Sequence, residues 1–499
     1  MISRRSLLRA GGGVAALAAA PPLAGLGAEQ PLLSAKTGGD VVLPADPRYA
    51  TAKELHYAQW DTVNPKAIVY AQTPSDVQTV IRFAQDAGVP LHTRSGGHNF
   101  AGWSTGPGIV LDVSRIKHAV PGAETVRVGP GAQSVDALTA LSAAQAQILT
   151  GTCPTVCPGG FYSGGGIGMQ TRKFGIGSDR LTSATVVLAD GRIVKTSSTS
   201  EPQLFWALRG GGGGNFGVVV DFEVRRINQP RAVYYNTQWA FADVREVLPA
   251  WQEWTATASP DLGSAMVIVL PDGMPEENTL VFVYGLHHGD QAQLDASLDR
   301  LQALAGRAPL NRFSTELPYA QAMLRIYGCD QISAQACHRV GTNPEASLHR
   351  GTFQRDAFRL VSRPFGAADV NRAIDTFVAG RHPGQSRVLN LMAVGGVANE
   401  RYPSETAFAH RDAEWSIGYV ATHADPAPST ADSEAATAWT NAGAAVLEPV
   451  ATGAYVNFPS YHLPDWRQQY YADNFPRLVS AKRVYDRHNF FRHPRSIGS

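Results

Sequence analysis

Two short glycine-flanked stretches carry the side chains with the most chemical promise. Arg94-Ser95-Gly96-Gly97-His98-Asn99 sets an imidazole just past two glycines, and Gly151-Thr152-Cys153-Pro154-Thr155-Val156 sets a thiol further along the chain. Glycine, lacking a Cβ, lets backbone approach a ligand closely. A neutral imidazole nitrogen and a thiolate sulfur are both nucleophiles, so the pair could grip a flat ligand from two sides and bond to it. A second thiol, Cys157, creates a Cys-x-x-x-Cys spacing that a redox disulfide would also suit, and it leaves open which sulfur attacks. The runs Ser163-Gly164-Gly165-Gly166-Ile167-Gly168 and Gly210 to Gly214 could offer backbone amides to a pyrophosphate. Neither fits a dinucleotide fingerprint with a following acidic residue. No Cys or His cluster has zinc-type spacing, so no metal site is expected.

These loops need elements to hold them. Ile68 to Tyr70 reads as a short strand, and Val77, Val80, Ile81 and Ala84 give helical spacing over 76–87, stopped by Gly88. Strands over 90–93 and 109–113 flank the first loop. A second unit has an extended Thr125 to Val128, a helix from about 134 to 147, a hairpin over 185–195 turning at Asp190-Gly191, and a strand over 217–225. Alternation of this kind predicts two α/β subdomains. From Ile227 to Val450 the composition changes, with Trp239, Trp251 and Trp254 and extended runs at 265–270 and 280–284. That reads as a sheet-plus-helix unit.

A chain of 499 residues exceeds one ordinary domain. Lysine plus arginine (43) balances aspartate plus glutamate (42) without a long basic run, so nucleic acid is not expected and a small-molecule partner is. The segment Ser3-Arg4-Arg5-Ser6-Leu7-Leu8-Arg9, followed by Gly/Ala-rich apolar residues and Pro21-Pro22, resembles a twin-arginine export signal over 1–28. Its apolar part is shorter than the roughly 20 residues needed to span a bilayer, so no membrane anchor is expected. In an oxidising compartment Cys329 and Cys337 could pair, although spacing alone does not decide pairing.

Four ordered blocks carry a family resemblance: Arg94 to Asn99, the loop GTCPTVCPGGFYSGGGIG over 151–168, Phe205-Trp206-Ala207-Leu208-Arg209-Gly210-Gly211, and the tail from Tyr455-Val456-Asn457 through Lys482 to Phe491. Together they resemble the berberine-bridge-enzyme-like FAD-linked oxidases of the vanillyl-alcohol-oxidase, or PCMH-type, superfamily. The resemblance implies an α+β fold. A two-subdomain FAD-binding domain over 45–226 would be completed by 451–499, with an α+β substrate domain of antiparallel sheet and helices inserted over 227–450.

It also implies FAD joined covalently at both His98 and Cys153, with cofactor contacts from Arg94, Ser95, Gly96, Gly97, Asn99, Val156, Gly159, Gly160, Ser163, Gly164, Gly166, Gly168, Gly217, Val219, Tyr455 and Asn457. Val156 matches a position where valine is associated with access of dioxygen, which favours an oxidase releasing H2O2 over a dehydrogenase. Relatives commonly read Tyr-x-Asn-Tyr where this chain has Tyr455-Val456-Asn457-Phe458. Phe458 cannot accept a proton, so Tyr455, Tyr162 and Tyr461 become the candidates for the base that alcohol oxidation requires. The implied reaction is hydride transfer from an alcohol, a sugar or a carbon next to an amine. A dehydrogenase, an oxidative cyclase or a flavin binder that has lost catalysis stand as alternatives.

Overall fold

The computed structural model describes residues 38–498, so the 1–28 segment expected to direct export lies outside the described residues. Three sheets organise the chain. The first contains β1 (Val41–Val42), β2 (Ala67–Tyr70), β3 (Leu91–Arg94) and β4 (Ile109–Asp112) in the order β1-β2-β4-β3, with β2 and β3 parallel to β4. Helix α1 (Pro74–Asp86) crosses between β2 and β3, as the spacing predicts. It begins two residues before the expected Asp76 because Thr73 and Asp76 form a reciprocal cap that satisfies the exposed first-turn amides.

The second sheet departs from expectation. Strands β5 (Ala119–Pro121), β6 (Thr125–Val128), β7 (Leu181–Val187), β8 (Ile193–Ser197) and β9 (Val218–Arg225) pair antiparallel throughout, in the order β5-β6-β9-β7-β8. This unit is an antiparallel sheet backed by helices and not a second βα alternation. The expected helix over 134–147 stops as α2 (Ser134–Ser142), since Gln145 turns to φ 48° and breaks the helical path.

The third sheet has eight strands: β10 (Arg231–Trp239), β11 (Leu262–Leu270), β12 (Leu280–His287), β13 (Asn311–Pro318), β14 (Phe353–Val361), β15 (Gln385–Ala393), β16 (Trp415–His423) and β17 (Ala451–Gly453). Their order is β13-β10-β12-β11-β15-β16-β14-β17, all antiparallel. Helices α3 (Val244–Thr257), α4 (Gln291–Ala305), α5 (Ala367–Val378) and α6 (Thr430–Leu447) cover one face. Side chains alternate between strand faces, so Leu389, Leu391, Trp415 and Ile417 join the helix-side core while Asn390, Met392 and Ser416 point the other way. The edge strand β17 still belongs to this sheet. Only from Ala454 onward do Val456, Tyr471, Leu478 and Ile497 enter the core built around the second sheet.

Cys329 and Cys337 form a disulfide. Among the described residues no helix is long and apolar enough to cross a membrane, and no cluster of three His, Cys, Asp or Glu side chains could hold a metal.

Candidate active site

A cavity of about 380 Å³ lies where the three sheets converge. The end of β3 and the loop after it supply Arg94 through Phe100. The loop is anchored by the buried Arg94–Asp112 ion pair at the register point where β3 meets β4, and by the Gly97 carbonyl accepting from the His56 amide at 3.0 Å. The cysteine loop is tied to the start of α2: the amides of Ser134 and Val135, unused within the helix, donate to the carbonyls of Val156 and Pro154 at 3.0 and 2.9 Å.

These anchors bring His98 and Cys153 to one wall of the cavity. Thr155 Oγ1 lies 2.8 Å from His98 Nε2 and 3.6 Å from Cys153 Sγ, so the two nucleophiles share a hydroxyl. His56 stacks on His98 at 4.0 Å between ring centroids. Burial holds His98 neutral, far below the ordinary histidine value, and neighbouring His56 and Arg339 push the same way. Burial also raises the Cys153 thiol, while hydrogen bonds from Thr155 and Val156 oppose the rise. Cys157 is buried, with its thiol directed to the Gly131 carbonyl at 3.5 Å and pushed far upward by desolvation. Both cysteines are free, so the Cys-x-x-x-Cys spacing does not form a disulfide.

The remaining sequence candidates divide. Ser95, Gly96, Gly97, Asn99, Val156, Gly159, Gly160, Ser163, Gly217, Val219, Tyr455 and Asn457 all line the cavity with Arg94. Gly164, Gly166 and Gly168 do not: a Cβ on each would collide with Asn457, the Phe161 ring and the Thr150 carbonyl respectively, so they are glycine to let protein pack on protein. Two proposed bases are also displaced. Tyr162 is buried in the core beside the second sheet and donates to the Leu149 carbonyl at 2.9 Å, and Tyr461 is 53% exposed beneath the Arg355 guanidinium. Only Tyr455 of the three reaches the cavity. Its oxygen accepts from the Gly166 amide at 2.7 Å and from Asn457 at 2.9 Å, yet burial outweighs both and pushes the phenol up to about 12.

The part of the lining that comes from the third sheet escaped sequence reading. Phe358, Asn390, Met392 and Ser416 reach the cavity from β14, β15 and β16, with Met392 directly opposite Ser416 in register. Phe458 stacks on Phe100 at 5.6 Å and tilts against Phe358 at 4.8 Å. The available signal was a lone polar residue in an apolar strand, Asn390 within Val388-Leu389-Asn390-Leu391-Met392 and Ser416 within Trp415-Ser416-Ile417.

A family model described as an FAD binding domain matches residues 65–197, and one described as berberine and berberine like matches residues 454–498. The chain belongs to the berberine-bridge-enzyme-like FAD-linked oxidoreductases. It is 26% identical to an uncharacterized FAD-linked oxidoreductase of Bacillus subtilis, over 93% of this chain and 97% of that one. It is 27% identical to chitooligosaccharide oxidase of Gibberella zeae, over 87% of each chain. Its fold matches that of glucooligosaccharide oxidase from Acremonium strictum with a TM-score of 0.81 at 23% identity, covering 94% of this chain and 98% of that one. The latter carries a 6-S-cysteinyl, 8α-N1-histidyl FAD.

The cavity of this oxidoreductase has features that suit FAD. A Cβ on Gly160 would meet no protein atom within 4 Å, so that glycine edges open cavity space, and Gly213 stands beside it. Arg94 and His493 line the cavity, and each holds a buried nitrogen, Nη1 and Nδ1 respectively, that finds no hydrogen-bond partner within the protein.

Proposed function

We propose that the protein is an exported FAD-dependent oxidase with its flavin tethered at both His98 and Cys153, acting on an alcohol or sugar carbon with dioxygen as acceptor and H2O2 as product. The FAD unit would comprise 45–226 with 454–499, and the substrate unit 227–453, three residues longer than the composition suggested because β17 pairs with β14. The observation that carries this reading is the convergence of His98 and Cys153 on a single hydroxyl at one cavity wall. A glucooligosaccharide oxidase of the same fold bears both kinds of link, which supports it. The Cys329–Cys337 disulfide fits an oxidising compartment.

Bound FAD would supply the two-electron acceptor and pass those electrons to dioxygen. The chain's own residues supply position. Arg94, Gly96, Gly97, Gly159 and Gly160, which line the cavity, would hold the cofactor, and Val156 would line the wall beside it. Tyr455, with its oxygen already accepting two hydrogen bonds, can turn its own hydrogen to a substrate oxygen and take up the hydroxyl proton once ionised. With the phenol up at about 12, that ionised fraction grows with pH, so turnover that depends on Tyr455 climbs through the neutral and alkaline range.

Intact mass and peptide mapping after denaturation test the links, and oxygen consumption against alcohols, sugars and amines tests the reaction. Unmodified His98 and Cys153 would refute the tether. Phe458 favours a second reading, a flavin binder without effective catalysis. Failure of every substrate class to bleach the bound flavin without oxygen would support it, and bleaching without oxygen consumption would identify a dehydrogenase.

A further inference from the structure

Thr155 stands behind the cavity wall. It is 7% exposed and does not line the cavity, yet its hydroxyl meets both side chains that the proposed function assigns to flavin attachment. A hydroxyl has one hydrogen to give and can accept another bond. The Thr155 hydrogen can serve either contact, and two arrangements follow. If Thr155 donated to His98 Nε2, the imidazole hydrogen would sit on Nδ1 and neither ring nitrogen would keep a free lone pair. If Nε2–H donates to Thr155 and Thr155 donates to Cys153 Sγ, Nδ1 keeps its lone pair and the sulfur gains a donor that favours its thiolate. Only the second arrangement readies both nucleophiles together. The stack of His56 on His98 holds the ring in the plane this requires.

We infer that Thr155 is a positioning residue for flavin attachment, its single hydroxyl setting the tautomer of His98 and supporting the Cys153 thiolate in one hydrogen-bonded chain. The inference rests on the tethered-flavin reading above. At His98 a bond forms from Nδ1 to the flavin's 8α carbon while a C–H bond there breaks. The hydrogens lost are that one and the hydrogen on Nε2, which leaves toward Thr155. At Cys153 a bond from sulfur to ring carbon 6 replaces C–H, and the thiol hydrogen is the second lost. Each attachment removes two electrons and two protons, and dioxygen takes them as H2O2.

The test is attachment itself, followed in the full chain folded with FAD. Thr155→Val keeps the shape and removes the hydroxyl, and Thr155→Ser restores it. Intact mass and peptide mapping over time report each link, the absorption spectrum reports bound flavin, and acid precipitation separates tethered from free FAD. Loss of a hydrogen bond to a charged group predicts that Thr155→Val slows both attachments by about tenfold or more while still binding FAD, with Thr155→Ser near wild type. Should Thr155→Val not fold, Thr155→Ala with the same serine rescue decides. Wild-type rates at both residues without the hydroxyl, loss at only one residue, or failure of serine to rescue would overturn the inference. A wild-type chain lacking both links would instead overturn the tether reading, and is recognised before any variant is made.

Discussion

The two walls of the cavity are built by opposite means. The wall that holds His98 and Cys153 is made of loops, rich in glycine and pinned by backbone hydrogen bonds to β4, α2 and the 54–57 segment. The other wall comes largely from an antiparallel sheet and presents Phe358, Met392, Asn390 and Ser416, with Phe458 packed against both Phe358 and Phe100. Loops allow the close backbone approach that a large cofactor needs. A sheet fixes a few side chains on one face by strand register, which suits discrimination among substrates. If the loop wall holds the cofactor and the sheet wall meets the substrate, as proposed above, the two tasks sit in separate structural layers and each should be alterable alone.

The largest effect should come from the loop wall. Replacing both His98 and Cys153 by alanine should abolish covalent flavin, read as the unmodified polypeptide mass after denaturation, whereas each single variant keeps one link. If the layers are separate, the double variant still binds FAD reversibly and its ranking of substrates is unchanged.

Next comes the seam between layers. Arg411, in the segment between β15 and β16, makes a two-pronged contact with Asp179 just before β7, both bonds 2.8 Å and both side chains almost fully buried. Asp179→Ala strands a buried guanidinium and should cost about 3–5 kcal/mol in denaturant unfolding. A loss below about 1 kcal/mol would mean that the seam relaxes around the charge.

The layers should also respond oppositely to pH. Burial pushes His56, on the loop side, down to about 4, below its unfolded value near 6.5, so its contribution is full above about 6.5 and is lost as pH falls toward 4. Burial pushes Asp356, on β14, up to about 7, above its unfolded value near 3.9. The folded state then holds a proton that the unfolded state has released, and stability declines as pH rises from about 4 to 7. His56→Asn should flatten the acid limb of the stability profile and Asp356→Asn the neutral limb. Unchanged limbs would show that other groups set them.

The smallest expected effect is at Ser416, a cavity-lining residue whose buried hydroxyl has no partner within the protein. Ser416→Ala should leave the free enzyme equal or more stable by up to about 1 kcal/mol. It should raise KM for the substrate that the hydroxyl meets and leave flavin attachment untouched. A fall in stability would place the residue in the protein's own hydrogen bonding instead.

Legibility followed the same division. The parallel strands β2, β3 and β4 of the first sheet, α1 and the hairpin joining β7 to β8 were readable because periodicity and turn residues act over a few neighbours. The cofactor loops were readable because glycine, histidine and cysteine stand in recognisable runs. Base candidates misled: Tyr162 and Tyr461 have the right chemistry, but one is spent on the Leu149 carbonyl and the other lies at the surface. The glycines at 164, 166 and 168 look identical in sequence to Gly160, and only the space beside each distinguishes them.

By itself, the amino-acid order determined the family, the FAD requirement and which two nucleophiles stand in glycine-rich loops, since each depends on residues close together in the chain. Tertiary structure alone decided that Thr155 joins those nucleophiles, that Tyr455 is the one proposed base at the cavity, and that Asn390 and Ser416 face it from neighbouring strands. Such contacts arise from pairing and packing between distant segments, whose register is set by how whole sheets bury their apolar faces.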